Sequence, residues 1–443
     1  MFHLSRMPRQ HITIVGLLLA ALALIAVGCS SSDDDAAAPA EAAVTSPPLA
    51  VQAPPTVAPA PTSPPATATS IPDTPTPVPE PEPTVDTAMY EDAPELRQTG
   101  GWVNSEPLTL AGMQEEGKVV LVDFWTYTCI NCIRTLPYLR VWHEKYADHG
   151  LVILGVHTPE FKFEEEYDNV VEAVDKFALE YPIVQDNDFG TWRAFNNRYW
   201  PAKYLIDQNG KIRYSHFGEG KYDETELIIR EILTEAGYDV SEITTDTNPG
   251  PPVASAALES ESVSDGQTRE LYAGYERNYG TLMSGGVPPY VLHEEYYMAP
   301  DMEVMYTDPG EHRNHFLYLQ GLWLNTSESL VHARETTDLE DYLALKFVGT
   351  SVNAVMSPGV SSPYDVVVYL DDGPIPEERA GKDIMYGPDG SSYIEVDESR
   401  MYFLIDQQEF ASGELRLASN SPDFTLFAFT FGSYEGGEPA RDS

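Results

Sequence analysis

The pattern of hydrophobic and polar positions divides the chain into two regions of different type. Between residues 118 and 236, short apolar runs alternate with segments of helical spacing. The predicted strands are Lys118–Trp125, Leu151–Val156, Tyr181–Val184, Lys203–Asp207 and Lys211–Tyr214, and the predicted helices are Cys129–Trp142, Asn169–Glu180 and Asp223–Ala236. Gln208-Asn209-Gly210 between the last two strands is a hairpin signal. This order predicts a small α/β sheet with parallel crossovers and an antiparallel end.

The second region, from Gly266 to about Tyr434, has a period of two instead. Short alternating apolar segments are separated by clusters of Gly, Pro, Asp and Ser. The predicted strands are His315–Leu324, Tyr342–Phe347, Tyr364–Leu370, Met401–Ile405 and Phe424–Phe431. Such a series is typical of an antiparallel β-sandwich.

The N-terminal segment has the layout of an export signal. Arg6 and Arg9 precede an apolar stretch, Ile12–Val27, that ends at Gly28-Cys29. The alternative to a signal peptide is a membrane-spanning helix, but such a helix needs roughly 20 apolar residues and this stretch is shorter. A cysteine at the cleavage point resembles a bacterial lipobox, with Ala26 where leucine is commonest. We therefore expect a signal peptide in residues 1–28, lipidation of Cys29, and an extracytoplasmic lipoprotein held at the bacterial cell membrane.

Two segments of linker composition set the domain boundaries. Residues 29–90 are rich in Pro, Ala and Thr without hydrophobic periodicity, so they cannot bury enough apolar surface to fold. We expect a disordered tether there and a second linker at 239–266. The remaining segments, 91–238 and 267–436, are the predicted redox and β-sandwich domains.

The charge and the cysteine content narrow the function further. With 26 basic and 70 acidic residues, the formal charge of −44 argues against nucleic-acid binding and against adhesion to anionic lipid. The chain has three cysteines and no second C-x-x-C or histidine cluster that would complete a structural zinc site. We expect neither a metal nor another cofactor.

Cys129 and Cys132 form a C-x-x-C pair at the start of a predicted helix. Free backbone N–H groups and the positive end of the helix dipole favour a thiolate at Cys129. Cys132 lies on the same helical face and is better placed to resolve a mixed disulfide than to start one. The pair is therefore the predicted catalytic couple and redox-active disulfide, with a static structural disulfide as the alternative.

Three segments around this pair resemble a thioredoxin-fold redoxin of the TlpA and DipZ type. They are Val119–Pro137, Gly155–Phe161 and Asn197–Asp207, in that order. The second region resembles the jelly-roll module of DipZ-like proteins, which is similar to carbohydrate-binding modules, through Leu271–Arg277 and Ala428–Gly432. The implied fold class is an α/β thioredoxin fold followed by an all-β jelly-roll sandwich.

The resemblance also implies roles for residues around the pair. Asp123 matches a buried carboxylate behind the disulfide, where it would shuttle the proton of Cys132; the alternative is an ordinary strand-end acid. Trp125 is expected to form a wall of the site. Trp200–Pro201 matches a cis peptide bond that pairs with an extended substrate chain.

Two further residues are left open. Glu160 is either an acid that supports the site or a solvated side chain, and His157 is expected to be structural rather than catalytic.

The resemblance implies an extracytoplasmic reductant of disulfides in exported proteins, apocytochrome c among them. DipZ-type chains carry a membrane electron conduit, so this domain would need a separate CcdA-like electron donor. One alternative is a thiol peroxidase. Thr126 stands three residues before Cys129, as in peroxiredoxins, but Val122 occupies the position four residues further upstream where those proteins have a proline.

The other alternative makes the β-sandwich primary, as the binding module of a cell-wall glycan-binding lipoprotein. Sugar binding needs exposed aromatic faces, and aromatics at alternate strand positions are more often core. The candidates are Tyr272, Tyr275, Tyr296, Tyr297 and Trp323, of which we expect Trp323 in the core.

Overall fold

The computed structural model describes residues 89–245, 266–284, 288–358 and 363–432. All of them fall within one compact unit, Pro81–Ser443. The predicted signal peptide, Cys29 and nearly all of the predicted tether lie outside the described residues. None of the helices in the described part of the chain has the length and apolar character needed to cross a bilayer.

The first domain is built on a six-stranded mixed sheet in the order β1-β4-β3-β2-β5-β6. Its elements are β1 Trp102–Val103, α1 Leu110–Glu115, β2 Val119–Trp125, α2 Ile130–Tyr146, β3 Leu151–His157, α3 Tyr167–Lys176, β4 Ile183–Gln185, α4 Gly190–Ala194, β5 Ala202–Ile206, β6 Ile212–Phe217 and α5 Tyr222–Glu235. Strands β2, β3 and β4 run parallel, whereas β5 and β6 form an antiparallel hairpin beside β2. This is the thioredoxin fold, and all seven residues of the central strand β2 are buried.

The predicted strands and helices of this domain are present, with small shifts at their ends. Helix α3 ends at Lys176 rather than at Glu180, because Ala178 has a left-handed backbone (φ 50°) that a helix does not accept. The two-residue strand β1 and the short helices α1 and α4 were not predicted, since segments of two to six residues carry little periodicity.

In its described residues, the second domain consists of strands, one helix and short 3-10 turns. Its elements are β7 Leu271–Tyr272, α6 Tyr275–Ser284, β8 Glu303–Tyr306, β9 Leu317–Asn325, β10 Leu330–His332, β11 Tyr342–Ser357, β12 Tyr364–Leu370, β13 Gly373–Pro374, β14 Met385–Tyr386, β15 Ser392–Val396, β16 Arg400–Ala418 and β17 Thr425–Gly432. Every pairing between these strands is antiparallel. The fold class is as expected.

Two strands of this domain are much longer than the sequence pattern predicted. Tyr342–Phe347 is only the first part of β11, and Met401–Ile405 lies near the start of β16. The pairing of β11 with β16 shifts register between Gly349 and Ser351. A bulge interrupts the strict alternation of side chains, so periodicity ends there although the strand continues.

The aromatic candidates for sugar binding are mostly inside the domain. Trp323 is fully buried, as predicted, and so is Tyr296. Tyr272 is buried against the redox domain rather than exposed. These three rings cannot stack on a sugar.

The two domains meet at an apolar cluster that includes Ile130, one of the two residues between Cys129 and Cys132. Ile130 and Phe161 of the redox domain share this cluster with six residues of the β domain, namely Tyr272, Val355, Met401, Phe403, Phe427 and Ala428. Ile133, which follows Cys132, packs against its edge. The β domain therefore covers one side of the active-site helix.

Candidate active site at Cys129 and Cys132

The cysteine pair lies where strand β2 passes into helix α2. Cys129 is the N-cap of α2 with extended backbone, and the backbone N–H of Cys132 points to its sulfur at 3.4 Å. Both cysteines are free thiols in this structure. Cys129 is partly exposed, whereas Cys132 has no exposed surface. Only Cys129 can meet a substrate disulfide in this arrangement.

Asp123 lies behind the pair in the central strand and is buried together with Lys203. Lys203 Nζ is 3.5 Å from Asp123 Oδ1, which is an ion-pair contact longer than a usual hydrogen bond. Burial raises the pKa of Asp123 to about 6, although the positive charge of Lys203 acts in the opposite direction. A carboxyl group with a pKa near neutrality can both accept and release a proton at physiological pH.

The buried thiol of Cys132 is held in its protonated form. Burial raises the pKa of Cys132 well above its usual range, and the neighbouring Cys129 and the charge of Asp123 add to the shift. Cys132 therefore needs a base before it can attack the mixed disulfide. Asp123 is close enough to Cys132 for its charge to affect that thiol, which fits the role predicted for it.

Trp125 lies in the same buried apolar cluster as Cys132 and packs against His157. Both are fully buried and their rings meet edge to face at 5.2 Å. His157 also stacks on Tyr127 at 5.5 Å, and burial lowers its pKa to about 3. A histidine that remains neutral and packed between two rings is structural, in line with the expectation. Thr126, the residue behind the peroxidase alternative, is buried with its hydroxyl 3.4 Å from His157 Nε2.

The Trp200–Pro201 peptide bond is cis, as the resemblance implied. Trp200 is fixed by a hydrogen bond from its indole N–H to the carbonyl of Thr158 at 3.0 Å. The carbonyl of Pro201 already accepts from the backbone N–H of Gly218 at 2.8 Å. A substrate chain that pairs at this site therefore has to use the peptide groups on the Trp200 side of Pro201.

Glu160 is held by the β domain and is not a solvated side chain. Its side chain is 7% exposed, and its Oε1 accepts from Arg277 Nη2 at 2.8 Å. The same oxygen lies 2.8 Å from the hydroxyl of Tyr272. Of the two alternatives left open for Glu160, the structure excludes the solvated one.

A second acid, Glu164, was not predicted from the sequence. It binds Thr128, the residue directly before Cys129. Glu164 Oε1 accepts from the hydroxyl of Thr128 at 2.5 Å and from its N–H at 3.3 Å. Its other oxygen accepts from the N–H groups of Glu160 at 2.6 Å and Phe161 at 3.0 Å. Burial raises the pKa of Glu164 to about 7.

Neither Glu164 nor Lys203 was singled out from the sequence. Glu164 is the first of three consecutive glutamates, and such a run is usually a solvated surface. Lys203 could have been identified from the sequence, because it lies inside the apolar strand Ala202–Ile206, which directly follows Pro201. A lysine at such a position is seldom buried without a charged partner.

Two family models match the two domains. One, described as the AhpC/TSA family, matches residues 90–215, and the other, described as a thioredoxin like C-terminal domain, matches residues 268–432. Protein DipZ of Mycobacterium tuberculosis is 46% identical over 147 residues, which cover 32% of this chain. The redox domain is a DipZ-like redoxin. The chain spans 21% of the length of that DipZ protein.

Smaller relatives match the same DipZ-like domain. The thiol-disulfide oxidoreductase YkuV of Bacillus subtilis is 29% identical over 147 residues, covering 33% of this chain and 97% of YkuV. The thiol-disulfide oxidoreductase ResA of Geobacillus thermodenitrificans is 34% identical over 97 residues, covering 22% of this chain and 53% of ResA. A crystal structure of a thiol-disulfide isomerase from Corynebacterium glutamicum is 22% identical, covers 32% of this chain and 97% of that one, and has a TM-score of 0.30. The names of YkuV and ResA support thiol-disulfide oxidoreductase as the enzyme class.

Proposed function

We propose that this chain is a thiol-disulfide oxidoreductase that reduces disulfides of exported proteins outside the cytoplasm. One observation carries the proposal: a partly exposed Cys129 caps helix α2 directly over a buried Cys132. The backbone N–H of Cys132 points to the Cys129 sulfur at 3.4 Å, and the buried Cys132 side chain follows three residues later in the first turn of α2.

The reaction begins when the Cys129 thiolate attacks one sulfur of a substrate disulfide. A bond forms between Cys129 Sγ and that sulfur, the substrate S–S bond breaks, and the departing substrate thiolate takes up a proton. Cys132 then attacks Cys129 Sγ, which forms the Cys129–Cys132 disulfide and releases the second substrate thiol. In total the cysteine pair gives two electrons to the substrate, and the two substrate thiolates take up two protons, one released by the Cys132 thiol and one from solution, because Cys129 enters the reaction already deprotonated.

Asp123 takes the proton of Cys132 in the second step. The attack requires a thiolate, and the thiol is buried beside this carboxyl group. Lys203 compensates the negative charge of Asp123 before the proton arrives. Its position 3.5 Å from the carboxylate gives it the role of a positioning and charge-balancing residue.

The location and the partners belong to the same proposal. A lipid on Cys29 and the proline-rich tether that follows would hold the redox domain outside the membrane. Apocytochrome c thiols, which must stay reduced, fit the substrate class, and a CcdA-like membrane protein would return the two electrons. Labelling with radioactive palmitate tests the anchor, since Cys29→Ala is expected to abolish the label.

Disulfide reduction by the full chain tests the activity. Reduced protein is mixed with a small oxidised protein such as insulin, and the thiols formed are counted. Wild type is expected to release two thiols per oxidised pair, and Cys129→Ser none. Equal thiol release by Cys129→Ser and wild type, or none from wild type, would refute the proposal.

A further inference from the structure

The β domain contributes side chains to a partly buried polar cluster at the edge of the redox site. Tyr272 and Arg277 both contact Oε1 of Glu160 at 2.8 Å, and the hydroxyl of Tyr272 also lies 2.7 Å from Glu270 Oε2. Arg277 lies over the ring of Tyr272, 4.8 Å from its centroid. The carboxyl groups of Glu160 and Glu270 therefore contact the same phenol oxygen.

The hydrogen count of this cluster requires one additional proton. A phenol has one hydrogen to donate, yet both carboxyl groups are within hydrogen-bond distance of its oxygen. One carboxyl group must therefore be protonated and donate to Tyr272. Both carboxyl groups have raised pKa values: burial raises the pKa of Glu160, with Arg277 acting in the opposite direction, and burial together with the adjacent charge of Glu160 raises the pKa of Glu270. Either carboxyl group, when protonated, can donate to Tyr272 while the other accepts from it.

Glu160 is connected to the cysteine pair by a short series of hydrogen bonds. Its backbone N–H donates to Glu164, and Glu164 accepts from both donors of Thr128. Thr128 is the residue before Cys129 and belongs to the turn that presents the N-cap. The side chains of Glu164 and Thr128 thus link the backbone of Glu160 to the residue before Cys129.

Apolar packing fixes this arrangement on both sides of the cysteines. Ile130 is buried in the interface with Phe427 and Met401. An added Cβ on Gly432 would lie 2.6 Å from Arg134 Nη2, so this arginine of α2 packs closely against β17. The active-site helix therefore packs against the β domain at both Ile130 and Arg134.

We propose that the β domain is a working part of the redox centre, in which Tyr272 and Arg277 position Glu160 and thereby set the reactivity of Cys129. This inference rests on the proposed function, and it gives the β domain a role other than binding a polymer. Tyr272, Arg277 and Glu270 are positioning residues, because they act through Glu160, Glu164 and Thr128.

The pH dependence of Cys129 alkylation tests the proposal in the full chain. Iodoacetamide rates are measured from pH 5 to pH 10 on the reduced protein, together with the reduction potential. The charged and titratable groups that face Glu160 and Tyr272 are Glu164, Glu270, Arg277, Tyr290 and Arg269. Loss of one hydrogen bond to a charged group is expected to move the rate profile by about one pH unit.

The variants are Tyr272→Phe, which keeps the ring, and Arg277→Gln, with Arg277→Lys as the conservative replacement. The matched controls are Tyr306→Phe, which removes a buried phenol bonded to Asn325, and Arg416→Gln, which removes an arginine over Tyr369. We expect the first two variants to shift the profile, Arg277→Lys to restore most of it, and both controls to match wild type. Thermal unfolding of each variant shows whether it is folded.

The proposal is overturned if folded Tyr272→Phe and Arg277→Gln keep the wild-type alkylation profile and reduction potential. It is also overturned if the control variants shift both by the same amount, since the effect would then be general destabilisation. Failure of the proposed function gives a different result. In that case the wild-type chain does not reduce insulin, whatever the alkylation profiles of the variants show.

Discussion

Lys203 Nζ lies 3.5 Å from Asp123 Oδ1, and neither side chain has appreciable contact with solvent. The pair sits in neighbouring strands β2 and β5, where Asp123 is directly opposite Lys203. Taking two charges out of water is costly, and their attraction offsets that cost only partly. The raised pKa of Asp123 is the sign of this imbalance, and it places the proposed base for Cys132 near neutrality.

Replacing Lys203 by methionine is expected to move the acid limb of mixed-disulfide resolution to higher pH. Lys203 lowers the pKa of Asp123, so its removal lets burial raise that pKa above about 6. We expect a shift of about one pH unit or more, measured by the release rate of a thiol from a mixed disulfide on Cys129. Lys211→Met is the control, because Lys211 pairs with an exposed Asp92 at the surface. An unchanged limb in Lys203→Met would mean that Asp123 is not the base.

Asp123 is also expected to make the folded state less stable as the pH rises. Its pKa is about 6 in the folded chain and about 4 in an unfolded one, so the folded state binds the proton more tightly. The stabilising contribution is present below about pH 4 and is lost between about pH 4 and pH 6, at up to about 1.4 kcal/mol per pH unit.

Urea unfolding of wild type and Asp123→Asn across this window measures the effect as a difference. The difference is expected to move in favour of the variant as the pH rises, while the exposed Asp175→Asn follows wild type. A difference that is constant from pH 4 to pH 6 would contradict the buried, raised carboxyl group.

The two cysteines are expected to behave differently when each is replaced by serine. Cys129 is partly exposed and Cys132 is buried, so only Cys129 starts the reaction. Cys132→Ser should therefore accumulate a stable mixed disulfide with a substrate peptide, detected by mass spectrometry. Cys129→Ser should form less than a tenth as much. Equal trapping by both variants would show that the buried thiol is reachable from solvent.

Phe427 is expected to stabilise the contact between the two domains. Its ring lies 4.8 Å from Phe163 and 5.3 Å from Phe161, both in the redox domain. Removing a buried aromatic ring costs about 3–5 kcal/mol, so Phe427→Ala should lower the free energy of unfolding by about that amount in urea. Phe410→Ala, at a ring that is 50% exposed, should cost under about 1 kcal/mol. Similar losses in the two variants would argue against this packing.

Most of the redox domain could be predicted from the sequence, but little of the contact between the two domains could be. Strand β2 and helix α2 are long periodic segments, and the motif around Cys129 places them in order. The contacts of Glu164 with Thr128 and of Tyr272 with Glu160 were not predicted, because the partners lie far apart along the chain. The local sequence around a glutamate in an acidic run, or around a tyrosine in a strand, is the same whether or not the residue makes such a long-range contact.

The β domain shows the same limit in its backbone. The alternation within β11 breaks near Gly349, where the register shift occurs. The pattern therefore predicted only a short strand, which ends at Phe347 just before this break. Whether an aromatic such as Tyr296 faces solvent or core is also decided by the fold of distant strands. Local periodicity contains neither fact.

The equilibrium reduction potential of the Cys129–Cys132 pair tests the central claim most directly. The full chain is equilibrated in redox buffers of defined potential, and the fraction of disulfide is measured by thiol labelling. A reductant is expected to have a potential of about −270 to −200 mV. A value near about −120 mV would make the protein an oxidant of exported thiols, and the absence of any reversible disulfide would refute the redox function altogether.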